Sequence, residues 1–361
     1  MKHYVVETAL VRGNLKSLKK RAGSAVLWAV LKGDGYGLGL LPMAQLCAEE
    51  GIDHFAVTEV AEAQALRANG FTAQTVLMLR PTCSEYEIRQ LLPLNVVFTV
   101  SSQEDATVLN TLAGDAGVRA EAHLKIDTGM GRYGFLPEER DKLAGLYAYM
   151  KNIHFSGVYT HLHSAFCSKK ATQRQMETFQ ALVQTLREAG YDVGMVHACN
   201  SEALLRMPEY RLDGVRVGSA ILGRVRCRSD LKRVGYCEAS VEELRWLPAG
   251  HTCGYGAGWK ARKNTRIAVF SVGYRHGYSC EYGNDLFRTR DSLRGVVRHL
   301  KNIIIRRSLR VTLNGKKCKV LGHVGMLHTV VDVSKVNCAL GDVAVFEINP
   351  ILLRDMQIEY R

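Results

Sequence analysis

Several things the 361-residue chain lacks set its first limits. Its longest apolar runs, such as Ala25 to Leu31 and Asn95 to Val100, fall far short of the ~20 residues a bilayer-spanning helix needs. The N-terminal stretch meets Glu7 and Arg12 before any uninterrupted apolar core of a signal peptide forms, so the chain is expected in the cytoplasm. Ten cysteines are scattered with no C-x-x-C pair and no Cys/His group at zinc spacing. Reduced thiols and no metal-ligand set follow. With only 7 prolines and 47% hydrophobic residues, disordered and collagen-like classes are excluded. No repeat at a solenoid or propeller period is present.

What is there in excess is positive charge: 48 Lys+Arg against 35 Asp+Glu, a formal +13. More than half of it is local. From Leu286 to Arg310 the chain carries Arg288, Arg290, Arg294, Arg298, Lys301, Arg306, Arg307 and Arg310 against Asp291 alone. Within that segment Leu293, Val296, Val297, Leu300, Ile303 and Ile304 recur at i, i+3, i+4, i+7 spacing, one apolar stripe with Arg294, Arg298 and Lys301 largely off it. A basic amphipathic helix can lie on anionic lipid, but a helix packed on its domain with a solvated basic face is the reading favoured here. No nucleic-acid partner is expected.

The length suits roughly two domains of ~150 residues. Short β-branched runs alternate with helical patterns through about residue 235. The strands expected are Ala25 to Leu31, His54 to Thr58, Thr75 to Leu79, Asn95 to Thr99, Ala120 to Ile126, His154 to Tyr159, Gly194 to His197 and Leu212 to Val217. Helical periodicity fills the gaps, as in Glu59 to Ala68, Ser102 to Leu112 and Arg174 to Ala189. Eight strand and helix alternations predict a (β/α)8 barrel of TIM type rather than an open sheet. From about Cys237 the texture becomes β-rich, with Asn314-Gly315 marking a hairpin. The expected division is residues 1–11 as a strand joining the β domain, 12–236 as the barrel, and 237–361 as the β domain with the basic insertion at 286–310.

Five polar clusters fall at predicted strand ends, which in a barrel converge on one cavity. Lys32 ends the first strand and is followed by Gly33, Asp34, Gly35, Tyr36 and Gly37. A partly desolvated lysine there has a lowered pKa and a nucleophilic amine able to form a Schiff base. Taken alone, the segment reads more simply as a solvated lysine beside a glycine turn. The other clusters are His123 to Arg132, Gly157 to His161, His197 to Ser201 and Val215 to Ser219.

Val30 to Gly37 resembles the pyridoxal-phosphate lysine motif of alanine racemases, and Leu124 to Gly134 resembles their K-x-D-T-G-M-G-R segment. The resemblance continues in order through Tyr159-Thr160-His161, Asn200-Ser201, Val215 to Gly218, Cys253 to Gly256, Val272-Gly273-Tyr274 and Ile358 to Arg361. It implies a pyridoxal 5'-phosphate enzyme interconverting L- and D-alanine, a peptidoglycan precursor, by two bases. Lys32 would hold the cofactor and act on one face of the substrate, Tyr255 on the other. An unperturbed tyrosine pKa near ~10 makes a poor base, and His161 and Arg216 are the implied neighbours that lower it.

By the same resemblance Arg216 faces the cofactor ring nitrogen as a donor that cannot give up its proton. Tyr36, Asn200, Ser201, the backbone of Gly218 and Ser219, and Tyr360 surround the cofactor and its phosphate. Arg132 and Met326 take the substrate carboxylate, Lys125 supports Arg132 and is carbamylated in many family members, and Tyr274 stands at the mouth of the site. The family shares its sites between two subunits, so a homodimer is implied. Leu38, Leu222 and Gly325-Met326-Leu327 depart from the usual pattern and are expected near the mouth and the carboxylate site. They leave serine, as in vancomycin-resistance serine racemases, as a rival substrate. A decarboxylase or a D-amino-acid aldolase of the same architecture is the rival chemistry.

Overall fold

The computed structural model describes residues 1–280, 289–305 and 308–361. It divides into two compact units, Glu7–Val234 and the pair of segments Met1–Val6 with Gly235–Arg361. The boundaries differ slightly from expectation. Residues 7–11 leave the N-terminal strand for the barrel unit because a helix, Thr8–Ala22, has already begun there. Gly235 and Tyr236 join the β unit because they open the long strand Gly235–Leu247.

In the first unit eight parallel strands close into a barrel: Val26–Val30, His54–Val57, Thr75–Met78, Val97–Val100, Ala120–Lys125, Ile153–Tyr159, Met195–Cys199 and Gly214–Val217. Pairing of Val26 with Gly214 and Leu27 with Val215 closes the ring. Both faces of these strands are largely covered, one by the barrel interior and one by helices, so most read as apolar runs rather than alternations, with Glu121 and His154 as exposed exceptions. Val97–Val100 is buried at every position.

Several of the helices between them start where the sequence offers caps. Ser102 accepts from the backbone of Asp105 while the Asp105 carboxylate accepts from Ser102, a reciprocal cap for Gln103–Asp115. Lys169–Glu188 begins one turn before the expected Arg174, because Ser168 caps it through Ala171 and its first turn is polar.

The second unit is a mostly antiparallel sheet, with one parallel pair between Lys2–Val6 and Ile358–Tyr360, and six of its strands pair in a circuit. The strand Gly235–Leu247 pairs through Cys237 to Ser240 with Val343–Phe346 and through Val241 to Leu247 with Thr265–Phe270. Thr329–Asp332, Lys316–Leu321 and Arg310–Leu313 complete the round. Asn314 (φ 47°) and Gly315 (φ 73°) make the tight hairpin expected of them. Phe270, Phe346 and Tyr278 meet edge to face in its core, with centroids 5.3 and 5.1 Å apart. Lys2–Val6 lies between Gly235–Leu247 and the terminal Ile358–Tyr360.

The basic segment forms the helix Thr289–Ile305. Arg288, Arg306 and Arg307 lie outside the described residues. The favoured expectation of a packed apolar stripe is corrected here: Leu293, Val296, Val297 and Leu300 are all more than half exposed. No described helix is long and apolar enough to cross a membrane.

Candidate active site

Lys32 follows the first barrel strand and opens a turn of inverted hand. Gly33, Asp34, Gly35 and Tyr36 all take left-handed backbone angles, φ 53–64° with ψ 35–56°. Glycine adopts these freely, but Asp34 and Tyr36 do so at a cost of ~1–2 kcal/mol each. The surroundings hold them. Buried Glu62 accepts from the Asp34 amide (3.2 Å), the Asp34 carboxylate accepts from the Leu40 amide (2.7 Å), and Gly35 N–H donates to the Leu31 carbonyl (2.8 Å). The Lys32 amine sits partly buried, and burial followed by the positive charge of Arg132 lowers its pKa against the opposing pull of Glu62.

Tyr36, at the end of that turn, lies against Gly218. A Cβ on residue 218 would fall 2.2 Å from the Tyr36 Oη and 2.6 Å from its ring carbons, so only glycine fits. Burial pushes the Tyr36 hydroxyl up to about 12, which keeps it a proton donor. Ser201 Oγ accepts from Gly218 N–H at 3.2 Å and from Ala220 N–H at 3.3 Å. Ser219 stands between them, partly exposed. Asn200 spends its side chain structurally, accepting from Ala203 N–H and donating to the Leu162 carbonyl.

Arg216 is buried. Its four terminal N–H groups donate to the carbonyls of Thr160 (2.7 Å), His197 (3.2 Å) and Ala198 (3.4 Å) and to His197 Nδ1 (2.7 Å). With these engaged, Nε–H is the donor left for a ligand. Burial lowers its pKa only to about 10, so it stays charged. Because Arg216 can only donate, His197 Nδ1 must accept; its Nε2 then carries the proton and donates to His123 Nδ1 at 2.9 Å. Burial and the Arg216 charge hold both imidazoles neutral, His123 near about 3. His161 is likewise pushed well down by burial and then by Arg216.

Beneath them the fully buried Tyr159 ring carries Lys125 Nζ at 4.7 Å and the Arg216 guanidinium at 4.9 Å from its centroid, with its hydroxyl on Thr99 Oγ1 at 2.8 Å. Lys125 is pushed down to about 7, by burial first and then by Arg216 and Arg132. Asp127 gathers the next loop: its two oxygens accept from the amides of Gly129, Met130, Gly131 and Arg132 at 2.7–3.2 Å. Arg132 itself is exposed, its guanidinium 5.8 Å from the Tyr133 ring.

The barrel unit therefore brings together Lys32, Tyr36, Lys125, Arg132, His161, Asn200, Ser201, Arg216, Gly218 and Ser219. The β unit gathers a second group. Tyr255 and Met326 line one cavity of about 530 Å³ with His323, Leu327 and His328. Tyr274 N–H donates to the Gly325 carbonyl and Arg275 N–H to the Met326 carbonyl, both at 3.0 Å, which sets Tyr274 beside them. Tyr255 is 78% exposed. Tyr360 lies in the strand Ile358–Tyr360 of the same unit, paired with Val6.

Sequence reasoning passed over Glu62 and did not assign roles to Asp127, Tyr159, His123 and His197, whose work lies in partners distant along the chain. Of the departures from the family pattern, Leu38 and Leu222 are buried, as apolar side chains with room to pack should be. Among the described residues no group of His, Cys, Asp and Glu could hold a metal ion.

Two family models divide the chain as the fold does: the N-terminal domain of alanine racemase matches residues 6–225 and its C-terminal domain residues 234–351. The alanine racemase of Desulfosudis oleivorans is 33% identical over 360 residues, covering 94% of this chain and 85% of its own. That of Desulfovibrio desulfuricans is 28% identical over 97% of this chain and 90% of its own. Among solved structures, alanine racemase from Streptomyces lavendulae superposes with a TM-score of 0.85 at 23% identity, over 100% of this chain and 97% of that one. The enzyme from E. faecalis gives 0.83 at 22%, over 100% and 98%, a likeness of fold. On the sequence matches, which span both units, the chain belongs to the alanine racemase family.

Proposed function

We propose that the protein is a pyridoxal-phosphate-dependent racemase that interconverts L- and D-alanine, working as a homodimer. One observation carries the reading. Lys32, its pKa lowered, stands at the mouth of the barrel on a turn that also delivers the Tyr36 hydroxyl against Gly218, whose missing Cβ makes room for it beside Ser201 and the backbone amides of Gly218 and Ala220. These residues fit an anionic, ring-bearing cofactor anchored through an amine. Bound pyridoxal phosphate supplies an electron sink that lets a proton leave the substrate Cα. The chain's own groups do the rest. Lys32 Nζ, released by the incoming amino acid, serves as base on one face, and Tyr255 Oη on the other, since inversion needs a proton removed on one side and returned on the opposite one.

Arg216, which remains protonated and can only donate, would face the ring nitrogen of the bound cofactor and so would hold that nitrogen unprotonated, disfavouring transamination. Arg132 takes the substrate carboxylate, positioned by Asp127 through its own amide. Lys125 and Arg132 are like charges, so Lys125 supports Arg132 only once its amine is neutral or carries a carbamate. Exposure of Tyr255, Tyr274 and Met326 supports their service to a site completed by a second copy of the chain. Purified protein, loaded with the cofactor, should show a visible absorbance band lost on borohydride reduction with label on Lys32, and should racemise L-alanine. Protein that stays colourless on reconstitution overturns the class; a large kcat/KM preference for L-serine overturns the substrate.

A further inference from the structure

The helix Thr289–Ile305 takes no part in that reaction. It spans 17 residues, about 25 Å at 1.5 Å per residue. Leu293, Val296, Val297 and Leu300 recur at i, i+3, i+4 and i+7, so they share one face, and they are 65%, 55%, 51% and 53% exposed. A soluble helix turns such a face inward. Arg294 and Lys301 are exposed on the adjoining arc, and the sequence repeats the Arg294 position one turn earlier and later with Arg290 and Arg298. The helix holds no glutamate and a single aspartate, Asp291.

We propose that this helix is a peripheral membrane-binding element that lies flat on an anionic lipid surface, its four apolar side chains in the acyl boundary and Arg294 and Lys301 at the level of the phosphates. The charge selects the occupant. A second copy of the helix would bring two basic arcs together, whereas an anionic headgroup layer complements them. The apolar stripe is short and aliphatic, with no Trp or Phe, so neither component suffices alone. Binding should therefore be reversible and sensitive to salt.

The test is cosedimentation of the full-length, cofactor-loaded protein with vesicles of phosphatidylcholine containing phosphatidylglycerol, against phosphatidylcholine alone, at low and at roughly tenfold higher salt. The expected result is a bound fraction at least ~5-fold greater on the anionic vesicles at low salt, falling to the neutral-vesicle level at high salt. Leu293→Glu with Leu300→Glu should abolish binding while leaving alanine turnover and the melting temperature unchanged. Arg294→Glu with Lys301→Glu, which spares the apolar stripe, should do the same. Absence of binding to anionic vesicles at low salt overturns the proposal, as does equal binding to neutral ones. So does a helix-dependent oligomer in sedimentation velocity that the apolar double variant disperses without any vesicle binding in the wild type.

Discussion

The Tyr36 hydroxyl fills the space that a side chain at Gly218 would need, 2.2 Å from where its Cβ would stand. The lysine turn and the anion cradle are thus one fitted unit, although 182 positions separate the two residues in the numbering. Gly218→Ala must displace the Tyr36 ring, because two of its carbons lie at 2.6 Å as well as the oxygen. We expect cofactor affinity to fall at least about tenfold, ~1.4 kcal/mol. Titration of the apoprotein with pyridoxal phosphate, followed by the visible band, reads it. Tyr36→Ala in the same background should restore the fit of the backbone but not the affinity.

Asp127 holds four amides with two oxygens. In Asp127→Asn one oxygen becomes an amide nitrogen, which cannot accept, so about half of these partly buried, charge-assisted bonds are lost. A loss of about 2–4 kcal/mol in urea denaturation is expected. Because the Arg132 amide is among them, KM for alanine should rise more than kcat falls. A variant with wild-type KM would count against Asp127 as a positioning residue.

The two-base assignment makes an asymmetric forecast for Tyr255→Phe. Exchange of the Cα proton with deuterium oxide should be lost from one enantiomer of alanine and retained, though slowed, from the other. Equal loss from both would overturn it.

Lys125 gives stability a pH dependence whose sign is fixed. Its folded pKa, about 7, lies below the model-peptide value near ~10.4, so between them the unfolded chain binds more protons. Stability should rise as pH increases through that window, with the cost of a buried charge fully present below about 7. Lys125→Met should flatten the rise, measured by denaturant midpoint at several pH values. The neutral amine is also the form that reacts with carbon dioxide. Bicarbonate should therefore add one carbamate to the wild type, visible by carbon-13 NMR, and none to the Met variant.

The barrel was legible because most of its strands are buried on both faces and write short, largely apolar runs, as at Val26–Val30 and Val97–Val100. Polar residues at the C-terminal ends of those strands, such as Lys32 and Arg216, were legible because in a barrel these ends converge on one cavity. What supports them was not. His123 and His197 are neighbours at 2.9 Å across 74 residues, and Glu62 reaches Asp34 across 28. No local spacing encodes such meetings. The inverted hand of Gly33 to Tyr36 was hidden as well, because Asp34 and Tyr36 favour ordinary backbone angles and adopt these only under tertiary constraint. The helix Thr289–Ile305 announced its amphipathic pattern but not which side would meet water.

The strand Lys2–Val6 has a consequence for the order of synthesis. Both of its partners, Gly235–Leu247 and Ile358–Tyr360, leave the ribosome after the whole barrel has emerged. The barrel can close while the chain is still being made, but the first strand must wait, one edge until Gly235–Leu247 follows the barrel and the other until Ile358–Tyr360 follows the rest of the sheet. Emergence of Ile358–Tyr360 is thus the event that pairs the second edge of this strand, and a chain without those residues would carry a finished barrel and an open sheet edge.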